Sequence, residues 1–191
     1  MRASIDLTAF VLAGGQSRRF QSDKAMQEWQ GQPLLNHIIE QLQPMFENIT
    51  VVGKSELPDI HADCGPLGGI HTGLHHTQTD WNFFVACDMP FINRAIIAQL
   101  IEHRNSNVLA VVPEVEGWAV PTFALYHRNA MDSIEQQLQQ KKLSPQSWLK
   151  TIPTRKISED QLRQLDPDLQ SFININTLED RKRALRLLRN L

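Results

Sequence analysis

The chain has 191 residues and a mass of 21.8 kDa, the size of one domain, so residues 1–191 are expected to form a single folded unit. Lys plus Arg number 19 and Asp plus Glu 21, a formal charge of −2, which excludes a global field for nucleic acid or an anionic membrane. With 41% hydrophobic and 21% charged residues, the composition also excludes disorder.

Residues 9–12 form a short apolar run suited to a buried strand. It leads into Leu12-Ala13-Gly14-Gly15-Gln16-Ser17-Arg18-Arg19-Phe20-Gln21-Ser22-Asp23-Lys24. A glycine pair after a strand lets backbone N–H groups face a ligand with no Cβ in the way, and Arg18, Arg19 and Lys24 add positive charge. The segment reads either as a phosphate-holding loop or as an ordinary strand-to-helix turn with a basic surface. It is neither a Walker loop nor a G-x-G-x-x-G fingerprint.

Gln30-Gly31-Gln32-Pro33 predicts a turn, and Leu34, Leu35, Ile38, Ile39, Leu42 and Met45 recur at helical spacing. A second strand is expected over 49–52, then a loop over 53–58, and a glycine-rich segment, Gly65-Pro66-Leu67-Gly68-Gly69, that enters a helix. Asp59 lies beyond the second strand, where a ligand would reach it, though a solvated loop acid is the plainer reading. His71 and His75 stand four apart, as two metal ligands on one helix would, but no third ligand is adjacent in sequence.

A third strand over 83–86 runs into Cys87 and Asp88, and Pro90 biases Met89 away from helical geometry. Asp88 therefore sits in a bend at the carboxyl end of a strand, where open α/β sheets bind ligands. It is either a metal ligand or a cap for the helix near Asn93 that contains Ile96, Ile97, Leu100 and Ile101. A fourth strand follows over 108–112, another over 122–126, and a helix over 130–138 with Met131, Ile134 and Leu138 on one face. Residues 151–157 and 171–175 are weaker strand candidates. Thr177 with Asp180 predicts a capping box for a last helix, whose Arg181, Lys182, Arg183, Arg186 and Arg189 read mainly as a solvated outer face. The alternation of strands and helices predicts an α/β layered fold.

The longest apolar runs are far shorter than the roughly 20 residues that cross a bilayer. Ser4, Asp6 and Thr8 interrupt any signal-like core at the N-terminus. Two cysteines, Cys64 and Cys87, fit reduced thiols in a cytoplasmic protein.

Taken together, the loop over 12–24, Gly-Pro-Leu-x-Gly-Ile at 65–70, Cys-Asp-x-Pro at 87–90, Pro-x-x-Ala-Leu at 121–125 and Asn-x-Asn-Thr at 174–177 resemble the molybdenum cofactor guanylyltransferases. These five motifs, in order, cover nearly the whole chain. The resemblance implies a three-layer, Rossmann-like nucleotidyltransferase fold with a mostly parallel central sheet. It implies transfer of GMP from GTP to molybdenum-bound molybdopterin, with pyrophosphate released. By the same resemblance, Leu12, Ala13, Gly14 and Gly15 with Lys24 would hold GTP, and Arg19 would add charge over the triphosphate. Asp59 would line the nucleotide site, Asp88 would carry Mg²⁺, and Asn174 and Asn176 would lie near the pterin. Molybdoenzymes or cofactor-delivery proteins are the partners it suggests, with no nucleic acid and no membrane. There are two departures from the family pattern: Gln21 stands where glycine is usual, and Gly53-Lys54 where an asparagine is often found. The rival readings are a CTP-dependent cytidylyltransferase and a non-catalytic nucleotide-binding delivery module.

Overall fold

In a computed structural model, which describes residues 6–14 and 28–188, the apolar runs become the strands of one mixed sheet. The strands are β1 (Leu7–Leu12), β4 (Asn48–Val52), β5 (Trp81–Ala86), β6 (Ala110–Val115), β7 (Trp118–Ala119), β8 (Phe123–His127) and β9 (Thr154–Ile157). Their order is β4-β1-β5-β8-β6-β7, with β9 against β6. β1 pairs in parallel with β4 and β5, and β6 with β9, while β8 runs antiparallel to both β5 and β6. Because β8 is antiparallel to both of its neighbours, β4, β1, β5, β6 and β9 all point the same way. The mostly parallel sheet expected from the sequence is therefore present, with β8 inserted against the grain. A separate hairpin, β2 (Glu28–Trp29) and β3 (Gln32–Pro33), turns at Gln30-Gly31, both with positive φ.

Side chains alternate along each strand, and that period of two sorts them onto two helix layers. Leu7, Ala9 and Val11 of β1, Phe83 and Val85 of β5, and Phe123 and Leu125 of β8 face one side. There they meet α1 (Leu34–Leu42) through Leu34, Ile38 and Leu42, and α3 (Arg94–Glu102) through Ile96, Ile97 and Leu100. Leu162 of α6 (Glu159–Arg163) and Ala184 of α7 (Leu178–Leu188) close the same layer. Phe10, Leu12, Phe84, Ala124 and Tyr126 face the other side, against α2 (Gly65–His76), α4 (Met131–Gln139) and α5 (Pro145–Leu149). α2 lies very close to the sheet: a Cβ on Gly73 would stand 2.6 Å from Phe84 Cε1 and 3.1 Å from Phe10 Cγ. Phe10 and Phe84 stack at 4.9 Å between ring centroids beneath it.

The weak strand expected over 171–175 is not formed. Gln170–Phe172 is a 3₁₀ turn, because both oxygens of Asp166 accept backbone N–H groups there, Oδ1 from Gln170 and Oδ2 from Ser171. A local side chain thus satisfies donors that a strand would have offered to a neighbour. The expected strand over 151–157 is realised only as β9, and the short helices α5 and α6 escape periodicity because five residues span little more than one turn. The cap expected for the last helix is present: Asp180 N–H donates to Thr177 Oγ1 at 3.0 Å, and Asp180 Oδ2 accepts from Asn176 N–H at 3.0 Å. Among the described residues, no helix is long and apolar enough to cross a membrane. Neither Cys64 nor Cys87 is in a disulfide.

Candidate active site

The connection leaving β1 leads to α1 on one face, whereas that leaving β4 leads to α2 on the other. Adjacent parallel strands whose connections part in this way open a crevice at their carboxyl ends, the usual ligand position in open α/β sheets. Backbone hydrogen bonds fix its floor. Ala13 N–H donates to Val52 O at 2.9 Å, Cys87 N–H to Leu12 O at 3.0 Å, and Ile175 N–H to Asp88 O at 2.8 Å. The ends of β4, β1 and β5 and the segment 174–176 are thereby tied side by side, although these residues lie far apart in sequence.

On the β4 side, two glycines stand back to back. A Cβ on Gly53 would lie 2.3 Å from Gly14 Cα, and Gly53 has φ +85°, so the position has neither the space nor the backbone conformation for a side chain. This explains the departure at Gly53-Lys54: the turn after β4, closed by Gly53 N–H donating to Leu57 O at 2.8 Å, lies flat on the loop after β1. In sequence Gly53-Lys54 stands only as a departure from the family pattern, and its contribution to loop packing is revealed by the spatial neighbour Gly14.

Asp59 occupies the crevice itself. Its Oδ2 would be 2.6 Å from a Cβ on Gly14 and its Oδ1 3.7 Å from one on Gly69, so the carboxylate lies between the β1 loop and the first turns of α2. Oδ1 is buried with no hydrogen-bond partner among the described residues. Burial pushes the Asp59 carboxyl above the usual aspartate range. A half-buried acceptor without a partner is costly, and its place in the crevice makes Asp59 a candidate to accept from a ligand.

On the β5 side, Asp88 stands half-buried in the turn closed by Met89 N–H donating to Ala86 O at 3.2 Å. It does not cap the following helix. The cap of α3 is Asn93, whose Oδ1 accepts from Ala95 N–H at 2.9 Å. Ile175 is buried beside Asp88, while Asn174 and Asn176 on either side of it are exposed, so the two amides share the outward side of this extended segment. Leu12, Ala13, Gly14, Asp59, Asp88, Asn174 and Asn176 therefore gather at one edge of the sheet. Gly15, Arg19 and Lys24, together with Gln21, lie outside the described residues. The Ala13 N–H is already engaged by Val52 O and so is not open to an anion.

Sheet order, two helix layers and a glycine-lined carboxyl edge with two separated carboxylates define a Rossmann-like α/β domain of the nucleotidyltransferase class. The chain belongs to the family of the MobA-like NTP transferase domain, whose model matches residues 9–159. It is 38% identical over 184 residues to a molybdenum cofactor guanylyltransferase of Syntrophotalea carbinolica, covering 91% of this chain and 88% of that protein. It is 32% identical to the protein of the same name from Desulfosudis oleivorans, covering 93% and 94%. Its fold superposes with a TM-score of 0.84 on molybdopterin-guanine dinucleotide biosynthesis protein A of Archaeoglobus fulgidus, at 26% identity and with 96% and 100% coverage. The fold is shared more widely, for example with a 2-C-methyl-D-erythritol 4-phosphate cytidylyltransferase of Thermus thermophilus (TM-score 0.67, 14% identity).

Proposed function

We propose that this chain transfers GMP from GTP to molybdenum-bound molybdopterin, forming the guanine dinucleotide cofactor and releasing pyrophosphate. The observation that carries the proposal is the convergence of the Gly14 loop, Asp59, Asp88 and the Asn174–Asn176 pair on one crevice, in a fold shared with relatives named for this activity. The setting is cytoplasmic, and molybdoenzymes or their delivery proteins are the recipients.

The chemistry needs few groups. A molybdopterin phosphate monoester has a second pKa of about 6 and is mostly dianionic near neutral pH. One of its oxygens attacks the α-phosphorus of GTP, the new O–P bond forms as the bond between the α-phosphorus and its β-bridging oxygen breaks, and pyrophosphate leaves with the electron pair. No general base is required. The chain's task is in-line positioning and positive charge over the triphosphate, from Lys24, Arg19 and loop N–H groups. Asp88 offers a hard oxygen donor, which fits Mg²⁺, an ion that takes one or two carboxylates and fills its shell with phosphate oxygens and water. Mg²⁺ held there would neutralise charge that grows on the departing pyrophosphate.

Asp59 favours guanine over cytosine in this reading. An ionised carboxylate only accepts hydrogen bonds, and guanine presents two adjacent donors, N1–H and the exocyclic amino group, where cytosine presents one amino group beside an acceptor. Asp59→Asn is expected to raise the KM for GTP by about 10-fold or more, since a hydrogen bond to a charged group contributes about 1.5–3 kcal/mol. Its stability sign is opposite. A carboxyl whose folded pKa is raised binds protons more tightly folded than unfolded, so the ionised form lowers stability above that raised pKa. Near neutral pH the Tm of Asp59→Asn is therefore expected to equal or exceed that of the wild type. In the wild type, GTP affinity falls with pH as Asp59 takes up its proton above the ordinary aspartate range, and the variant loses this pH dependence. A lower Tm with unchanged KM makes Asp59 a structural acid.

Asn176→Ala is expected to raise the KM for molybdopterin more than that for GTP, because Asn176 is exposed on the segment that Ile175 N–H ties to Asp88 O at the β5 end. The reverse order moves this segment to the nucleotide. The function itself is tested by incubating the purified protein with molybdopterin, Mg²⁺ and each nucleoside triphosphate in turn. GTP alone is expected to give a pterin dinucleotide on chromatography. Product from CTP makes the chain a cytidylyltransferase, and none from any triphosphate makes it a binding module.

A further inference from the structure

On the helix layer formed by α2 and α4, His61, His71 and Glu135 come together from three different places in the chain. His61 lies in the segment leading into α2, His71 on the side of α2 that meets α4, and Glu135 on α4. Glu135 Oε2 stands 3.1 Å from His61 Nε2 and 2.7 Å from His71 Nε2, and one ligand atom from each residue falls within a circle of 4.8 Å. The rings of His61 and His71 are 4.8 Å apart between centroids. Glu135 Oε1 is held by Gln139 Nε2 at 3.1 Å, which orients the carboxylate so that Oε2 serves both imidazoles.

We propose that these three side chains form a zinc site. Two imidazoles and one carboxylate make a donor set suited to a borderline-soft divalent ion, not to the hard Mg²⁺ expected at Asp88. The spacing is compatible with it: ligands about 2.0–2.1 Å from a tetrahedral ion are about 3.3 Å apart, so the two Glu135 contacts, at 3.1 and 2.7 Å, open slightly while the imidazole nitrogens, within 4.8 Å of one another, draw together by rotation of the exposed His61. His71 is the anchor, with its side chain 4% exposed, whereas His61 and Glu135 are 33% and 34% exposed and leave the solvent side open for the ion to enter. Packing does not account for an imidazole at this depth. Apolar neighbours such as Leu67 and Leu74 fill the same helix face, and among them the His71 Nε2 edge meets Glu135. The sequence reading paired His71 with His75 and found no third ligand. The third ligand is instead 64 residues beyond His71, on the neighbouring helix, and His61 replaces His75 as the second. With three protein ligands, the fourth position belongs to water on the exposed side.

The ion would clip α2 and its leading segment to α4 across a long stretch of chain, so zinc is expected to stabilise the fold as well as bind. The test uses the full chain, stripped of metal and free of nucleotide, titrated with Zn²⁺ by calorimetry and with Co²⁺ by visible absorption. The proposal predicts one Zn²⁺ per chain with a Kd of about 1 µM or tighter, a tetrahedral Co²⁺ spectrum and a zinc-dependent rise in Tm. His61→Ala and Glu135→Ala, both partly exposed, are each expected to weaken binding at least about 10-fold and to abolish the rise in Tm. Asp88→Asn and the double variant His75→Ala/His76→Ala are expected to retain both. The proposal is overturned by no uptake at micromolar metal, by unchanged affinity in His61→Ala and Glu135→Ala, or by loss in the His75/His76 variant, which would mark capture by exposed surface histidines.

Discussion

Asp88→Asn is expected to lower guanylyl transfer by at least about 10²-fold, within the range for removing one electrostatic group from a phosphoryl-transfer transition state. The substitution preserves shape, removes the charge that a divalent cation needs and replaces one acceptor oxygen with an N–H donor. The backbone of this turn is held independently of the side chain, through Cys87 N–H on Leu12 O, Met89 N–H on Ala86 O and Asp88 O accepting from Ile175 N–H. Asn93, not Asp88, caps α3. The Tm is therefore expected to move by about 2 °C or less, the shift that about 0.5 kcal/mol produces in a chain of this size. Steady-state rates across a Mg²⁺ series, with a melting curve for each protein, check both halves. Near-normal Mg²⁺-dependent turnover with a Tm several degrees lower makes Asp88 a structural residue and moves the metal to Asp59 or Asp63.

Lys24→Ala is expected to have an effect of similar size, a fall in turnover of about 10²-fold or more with the fold intact. The ammonium opposes negative charge that grows toward the leaving pyrophosphate, so its loss acts on kcat more than on the KM for GTP. Lys24→Arg, which keeps the charge and changes its shape, is expected to recover part of the rate. Unchanged turnover in Lys24→Ala removes this residue from the site.

The strands and the main helices were legible because each obeys one simple period. The buried runs at Leu7–Leu12 and Trp81–Ala86 and the helical spacing of Leu34, Ile38 and Leu42 specify their own structure. The place of Asp88 at the carboxyl end of a strand was legible because strand end, carboxylate and proline are adjacent in sequence, and its rival reading as a cap was decided against by the side chain of Asn93. What escaped the sequence depends on partners distant in the chain. Gly53 looks like a departure until Gly14 is placed against it. The segment 171–175 looks like a strand until Asp166 takes its donors. His71 has no third ligand until α4 brings Glu135 to it. Periodicity reports which face of an element is buried, and it carries no information about which distant side chain will meet that face.

The central claim is attack on the α-phosphorus of GTP by a pterin phosphate in the crevice between Gly14 and Asp88. Its most direct test is a single-turnover reaction with molybdopterin and GTP labelled separately at the α- and γ-phosphorus. The account predicts α-label in the pterin product, γ-label in pyrophosphate, and one pyrophosphate per dinucleotide formed. Label from the γ-position in the pterin, or release of inorganic phosphate in place of pyrophosphate, would contradict it.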